Sequence, residues 1–472
     1  MYQDKEYWEN RAKEYIAKHP KEISESIIAH GDLLAGILQQ IKFNTVIDGG
    51  CGVGDYFRIF AGKKLMGIEL SSELAQECKN RYPNVPVRVD SLTNMKRFLK
   101  PNQFDLFFCN TVLEHVNDLN IEVVIKQITE LFKFAVITEP VGCEKTDEHC
   151  FMHDYVALFK KFGWRLYDDL EVASPCHVYT FTKNNILISY SWCDGFAEDM
   201  GRMTGMLAKR YDLDAVRLLK QHSKVLIWPP VDYPVRYIFK TLRENNIKCT
   251  PYYYFTGTEV RYLEEGKYNI KEYPMTPRVI CEYSAMEERL IKLGFKDIHI
   301  LPNTFRFFDA PMPDEFTVGI YIRNDNICPT DKLHAIISGC PKVKFLIYGL
   351  PVDVANFSKV EHPNATYLGG MWSDMKTIMP QVSTLLRLTH TDGLSISVLE
   401  YLSAGKQVIW NHKMDECVEY VNCLNEVDHI IMCIQDMKKG YSGDIDEDAK
   451  VKTRFEYGLR RFLQRLNKII DE

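Results

Sequence analysis

Short runs of consecutive apolar residues alternate, along almost the whole chain, with stretches in which apolar positions recur every three or four residues. Continuous apolar runs read as strands buried on both faces, and the periodic stretches between them as helices laid against those faces, which together predict parallel α/β sheets. In the first part, strands are expected at Thr45–Gly49, Leu65–Glu69, Val85–Asp90, Asp105–Cys109 and Phe134–Thr138, with helices over Ser71–Arg81 and Ile121–Phe132. The polar stretch Thr182–Asn185 reads as a linker. A second series starts at Ile186 and continues through Val225–Trp228 and Arg278–Cys281; the Pro-rich Ala310–Pro313 divides it from a third. The third series runs through Phe316–Tyr321, Val343–Tyr348, Ala365–Leu368 and Gln407–Trp410, and an amphipathic helix from Arg454 to Ile470 ends the chain. The expected architecture is α/β, with three Rossmann-like domains in tandem. Its boundaries are expected at 1–183, 186–310 and 311–455, followed by a final helix over 456–472.

The length of 472 residues agrees with that count, at roughly 150 residues per domain. Hydrophobic residues make up 46% and charged residues 26%, an ordinary globular balance that excludes disordered and fibrous classes. The net charge of -6 argues against a protein whose affinity rests on neutralising nucleic-acid phosphates, although a local basic groove stays compatible with it. The opening Met1-Tyr-Gln-Asp-Lys-Glu-Tyr7 has no apolar stretch of the secretory kind, and no apolar run approaches the roughly 18 residues that cross a bilayer. Fourteen cysteines without a C-x-x-C pair are read as reduced thiols, with no structural zinc site. A cytoplasmic protein without a membrane span is expected.

Val46-Ile-Asp-Gly-Gly-Cys-Gly-Val-Gly-Asp55 lies between a strand and a helical stretch, and reads D-x-G-x-G-x-G over Asp48, Gly50, Gly52 and Gly54. Glycines there permit a tight turn and close backbone approach to a ligand. Glu69 ends the second strand, where a carboxylate can accept both ribose hydroxyls, and Asp90 ends the third, where it can meet an exocyclic amine. A dinucleotide site is the rival reading of such a turn.

These residues resemble the class I S-adenosylmethionine-dependent methyltransferases, a resemblance that covers residues 1–183. Asn110-Thr-Val-Leu-Glu-His-Val-Asn-Asp118 is similar to that family's N-x-V-L-E-H-V segment, and Tyr7-Trp8-Glu-Asn-Arg-Ala-Lys-Glu-Tyr15 to the leading helix of its small-molecule branch. The resemblance implies S-adenosyl-L-methionine at Asp48, Gly50, Gly52, Gly54, Glu69 and Asp90, with an acceptor above His115. No Asp/Asn-Pro-Pro-Tyr/Phe follows the fourth strand, where Cys109-Asn-Thr-Val stands instead, and there is no Pro-Cys nucleophile of the cytosine-C5 type, so an oxygen or carbon acceptor is favoured over a base in DNA. Histidine suits removal of a hydroxyl proton near neutral pH. The candidates are His115, His149 and His153; the last two, four apart, also have a metal-chelating spacing. The plainer alternatives are that His153-Asp154 caps the following helix and that His115 is packed in the core.

In the third series, Leu388-Thr-His-Thr-Asp-Gly-Leu-Ser-Ile-Ser-Val-Leu-Glu-Tyr-Leu-Ser-Ala-Gly-Lys-Gln-Val-Ile409 places Asp392 and Glu400 seven residues apart, with Gly393, Leu394 and Ser395 opening a helix between them. Bare amides at a helix start can hold a diphosphate. The plainer reading makes the two carboxylates a helix cap and a solvated face. The segment resembles the E-x7-E element of retaining GT-B glycosyltransferases, with Asp392 where that family has Glu. Ile300-Leu-Pro-Asn-Thr-Phe305, Gly319-Ile-Tyr-Ile-Arg323 and Phe345–Gly349 match further family segments in order. The resemblance implies a nucleotide-sugar donor held by Arg323, Lys332, Gly393, Leu394, Ser395 and Glu400, with Asp392 on the sugar. Tyr252-Tyr-Tyr-Phe255 is either a sugar-stacking surface or core.

Together these readings lead to an expected bifunctional enzyme that glycosylates and methylates one glycan or glycoconjugate. The alternatives are an acceptor that is a modified DNA base, and one module that is a degenerate binding domain.

Overall fold

A computed structural model describes residues 3–19, 24–140, 150–173, 176–190, 194–210, 215–228, 230, 232–269, 273–274, 277–305, 307–322, 327–368, 375–390, 392–412, 419–420 and 426–471. His149 and Arg323, both singled out above, lie outside the described residues.

The first unit takes in Met1–Leu226, Ile238–Pro251 and Leu463–Glu472. It opens with helices α1 (Gln3–Lys18) and α2 (Glu25–Leu38), then alternates β1 (Thr45–Gly49), β2 (Lys64–Glu69), α3 (Ser72–Arg81), β3 (Val87–Val89), β4 (Leu106–Asn110), α4 (Asp118–Leu131), β5 (Phe134–Pro140), α5 (Tyr155–Lys161), β6 (Trp164–Ala173) and β7 (Cys176–Lys183). The sheet order is β3-β2-β1-β4-β5-β7-β6, parallel except for β7, which runs antiparallel to both β5 and β6. Side-chain caps mark the helix starts: Ser71 accepts the Leu74 N–H, Asn117 that of Asn120, and Asp154 that of Ala157. On α4, Ile121, Val124, Ile125, Ile128 and Leu131 recur at three- and four-residue spacing and are all buried.

Thr182 and Lys183 are not linker: they close β7, with Thr182 opposite Phe134 on one side and Arg165 on the other. Val178, Tyr179, Thr180 and Phe181 are buried in succession, and pairing with β5 and β6 on either side carries the strand on through the polar Thr182 and Lys183. Strands β8 (Ile186–Tyr190), β9 (Leu207–Arg210) and β10 (Lys224–Ile227) follow, β8 and β9 pairing in parallel. The end of the chain returns to this unit, where Asn467 donates to the Tyr167 carbonyl (2.8 Å) and Lys224 to that of Ile470.

The second unit takes in Ile227–Tyr237 and Tyr252–Phe462. Strands β11 (Thr250–Phe255), β12 (Arg278–Cys281) and β13 (Ile298–Ile300) pair in parallel. A further sheet contains β14 (Thr317–Ile322), β15 (Lys344–Gly349), β16 (Ala365–Tyr367), β17 (Thr384–Arg387), β18 (Gln407–Trp410) and β19 (Glu419–Tyr420), ordered β16-β15-β14-β17-β18-β19 and parallel throughout. Its strands are apolar at successive positions because both faces are covered: Phe345 and Ile347 enter one core with Ile320 and Leu386, while Leu346 and Tyr348 enter another with Leu385 and Val408.

Candidate active site

The turn after β1 carries Gly50, Gly52 and Gly54 at φ +73°, +52° and +88°, the left-handed region that favours glycine. Gly50 has a second reason to lack a side chain: a Cβ there would fall 2.6 Å from both γ-methyl carbons of Val112. The amides of Gly50 and Cys51 both donate to the Ile68 carbonyl, so the turn is tied to the end of β2. That strand ends in Glu69, whose buried carboxylate accepts the N–H of Gly52 and of Ser71, each at 2.9 Å. Burial pushes the Glu69 carboxyl above its usual range, and these backbone bonds act the other way. Asp90 follows β3 and stands below its usual range: what burial it has, which would raise it, is outweighed by bonds from Asn94, Ser91 and Arg88.

A cavity of about 400 Å³ lies over these strand ends. Gly50, Gly52, Glu69 and Asp90 line it, and Trp8 and Tyr15 reach it from α1. Helix α1 is seated by Glu9, which accepts from the Ser71 hydroxyl and from the Ser72 amide and hydroxyl at the start of α3, at 2.8–3.1 Å. Nothing in the sequence pattern marks Glu9 out from its charged neighbours. Asp48 and Gly54 are not in the cavity wall. Asp48 is buried below the turn, where burial and the nearby Glu69 push its carboxyl up. Gly54 faces α3, where a Cβ would meet the Tyr82 ring at 2.8 Å.

The opposite wall is the segment after β4: Asn110, Thr111, Val112, His115 and Val116. Thr111 takes φ +51°, a costly conformation for a β-branched residue. His115 ends the short 3-10 turn Leu113–His115 and meets Trp8 edge to face, ring centroids 5.1 Å apart. Beneath the segment, the fully buried Glu139 accepts the amides of Val112 (3.2 Å), Leu113 (2.8 Å) and Glu114 (3.0 Å). Burial pushes its carboxyl up to about 8, with the Leu113 amide bond pulling the other way. Sequence reasoning passed over Glu139; the signal was a carboxylate closing the apolar run Phe134-Ala-Val-Ile-Thr-Glu139.

Residues 47–133 match the profile of a family described as a methyltransferase domain. The first unit thus contains a segment that matches a methyltransferase domain. No curated protein sequence matches the chain. Among solved structures, the chain is similar to magnesium protoporphyrin IX methyltransferase from Synechocystis with bound SAM (14% identity, 39% of this chain and 99% of that one, TM-score 0.31). It is also similar to a TehB-like SAM-dependent methyltransferase from Corynebacterium glutamicum (18% identity, 38% of this chain and 98% of that one, TM-score 0.30).

Around the methyltransferase domain's cavity, His153 is held in a structural role: its Nε2 donates to the Val116 carbonyl at 2.8 Å, and its neighbour Asp154 caps α5. Among the described residues no group of His, Cys, Asp or Glu could hold a metal ion. No helix among them is long and apolar enough to cross a membrane.

In the second unit, Asp392 is already engaged by its neighbours. Its carboxylate takes the buried Arg387 guanidinium at 2.9 and 3.3 Å, the Gly393 amide at 3.2 Å and the Thr389 hydroxyl at 3.4 Å. Arg387 ends β17, and with its head removed from water it demands a counter-charge, which the nearest carboxylate supplies. At the start of the helix Ile396–Ser403, the Leu394 amide donates to the buried Glu282 at 3.4 Å. Gly393 allows this approach, since a Cβ there would come within 2.3 Å of the Thr256 carbonyl oxygen. Ser395 is the buried N-cap residue of that helix. Glu400 lies on the helix, where burial pushes its carboxyl up to about 7. Lys332 stands in the first turn of the helix Thr330–Gly339. Tyr252, Tyr253, Tyr254 and Phe255 are all buried, with Tyr254 donating to the Leu301 carbonyl, so the aromatic run is core rather than a stacking surface.

Proposed function

We propose that the methyltransferase domain transfers a methyl group from S-adenosyl-L-methionine to a hydroxyl of a glycan or glycoconjugate, and that the second unit is a GT-B glycosyltransferase acting on the same product from a nucleotide-sugar donor. The observation that carries the first half is the pair of carboxylates, Glu69 and Asp90, at the ends of successive parallel strands in the wall of one cavity beside a glycine turn. These groups suit a nucleoside: Glu69 would hold the ribose hydroxyls and Asp90 the exocyclic amine, while the Trp8 and Tyr15 rings would attract a cation. The cofactor supplies an activated methyl group there. His115, in the opposite wall, takes the acceptor's hydroxyl proton as the oxygen attacks.

For the second half, support comes from the parallel sheet order and the placement of Glu400 and Lys332 on helices that follow strands of that sheet. A second reading, in which this unit is a degenerate binding module, is favoured by the engagement of Asp392 by Arg387 and by the Glu282 carboxylate at the helix start where a diphosphate would sit.

A thermal-shift screen of the full chain against S-adenosylhomocysteine, UDP, GDP, CMP and TDP tests both halves. A ligand at about a hundred times its dissociation constant adds roughly 2.7 kcal/mol to the unit that binds it. Stabilisation by S-adenosylhomocysteine and by one nucleotide is the expected result. No response to S-adenosylhomocysteine overturns methyl transfer; no response to any nucleotide overturns glycosyl transfer and leaves the degenerate module.

A further inference from the structure

We infer that Glu139 is a positioning residue for methyl transfer: from below the cavity, its carboxylate holds the segment Val112–Glu114, and with it His115, in the shape that forms the cavity wall. The inference rests on the methyl-transfer reading given above.

The segment has reasons to relax. Thr111 sits at φ +51°, a conformation that costs a β-branched residue free energy and persists only where its surroundings impose it. The following 3-10 turn spans three residues and has no side-chain cap at its own start, since Val112 occupies the N-cap position. Glu139 supplies what the local sequence lacks. One of its oxygens accepts the amides of Val112 and Leu113, the other that of Glu114, so three successive donors converge on one carboxylate. Glu139 is itself fixed from the far side, by the Tyr155 hydroxyl at 3.4 Å and the Cys109 thiol at 3.8 Å.

Two further bonds pin the segment but do not replace this one. The Phe151 amide donates to the Glu114 carbonyl at 2.7 Å, and the Thr111 amide to that of Thr138 at 2.7 Å. Both hold its ends and leave the donors between them to Glu139. The wall they shape is shared with the glycine turn, because Val112 packs where a Gly50 side chain would be. A shift of Val112 therefore reaches both sides of the cavity, whereas Glu139 is absent from the cavity wall.

The test uses the full chain and S-adenosylhomocysteine as the probe. Glu139→Gln keeps the size and one acceptor oxygen but turns an N–H group toward the Glu114 amide; Glu139→Ala removes every contact. Val136→Ala, on the same strand but packed with Val46, Leu106 and Phe108, is the control for general destabilisation. Hydrogen exchange read by mass spectrometry should accelerate about tenfold at Val112–Glu114 in Glu139→Gln, with the rest of the sheet unchanged, and affinity for the probe should fall about tenfold. Val136→Ala should lose stability yet keep its affinity. Wild-type exchange and affinity in both Glu139 variants overturn the inference. So does failure of both to fold, which would make Glu139 a core element only. If the unaltered chain does not bind the probe, the methyl-transfer reading fails instead, a result distinguishable from either.

Discussion

Replacing Gly50 with alanine imposes two separable penalties, and a second substitution tells them apart. At φ +73° an alanine sits in the left-handed region, at a cost of about 1–2 kcal/mol. Its Cβ would also lie 2.6 Å from both γ-carbons of Val112, an overlap of the overpacking kind, worth about 1–3 kcal/mol. Gly50→Ala is therefore expected to destabilise the methyltransferase domain by about 2–5 kcal/mol. Val112→Ala deletes the two carbons involved, so in the Gly50→Ala background it should restore about 1–3 kcal/mol while leaving the backbone penalty in place. Gly54→Ala is the matched control, because its Cβ would meet Tyr82 and Cys78 instead, and Val112→Ala should not rescue it. Calorimetric unfolding of the three single variants and the two double variants, following the transition that S-adenosylhomocysteine shifts, measures these couplings. An effect of Val112→Ala that is the same with Gly50 and with Ala at position 50 would refute the packing argument and leave backbone strain alone.

Glu69→Gln should lower affinity for S-adenosylhomocysteine by about 10- to 100-fold, the worth of hydrogen bonds to a charged acceptor, as measured by titration calorimetry. Asp392→Ala leaves the buried Arg387 without its counter-charge and should destabilise the second unit by about 3–5 kcal/mol in denaturant unfolding; a purely catalytic aspartate would leave stability unchanged. Glu400 holds its proton up to about pH 7 in the folded chain, whereas the unfolded chain loses it near 4.3. Between those values the unfolded chain binds fewer protons, so stability contributed by this group falls as pH rises from about 4.3 to 7, by at most about 1.4 kcal/mol per unit. Glu400→Gln should flatten that part of the stability–pH curve in paired unfolding series, and an unchanged slope would refute the assignment.

The parts of the fold that could be read from the chain are those where local pattern and burial agree. Strands β1, β2, β4 and β5 stand where apolar runs predicted them, because central parallel strands are covered on both faces and so advertise themselves. The polar end of β7 looks like linker in the sequence for the converse reason: its partners Phe134 and Arg165 are far away in sequence, and only pairing makes Thr182 and Lys183 a strand. The glycine turn was legible too, since positive φ at successive positions leaves few residues to choose from. Asp392 shows the limit: its spacing to Glu400 suggests a ligand, yet Arg387, five residues upstream, has taken both of its oxygens.

By itself, the sequence determined the order of strands and helices and the carboxylates that end them. Backbone propensity and apolar periodicity are local properties, written within a few residues of where they act. Which groups meet was decided by the tertiary structure alone. Glu139 reaches three amides more than twenty residues upstream, Glu9 grips the start of a helix more than sixty residues downstream, and Glu282 approaches Leu394 across 112 positions. A carboxylate's role depends on the donors that burial brings to it, and those arrive only when distant strands close into a sheet.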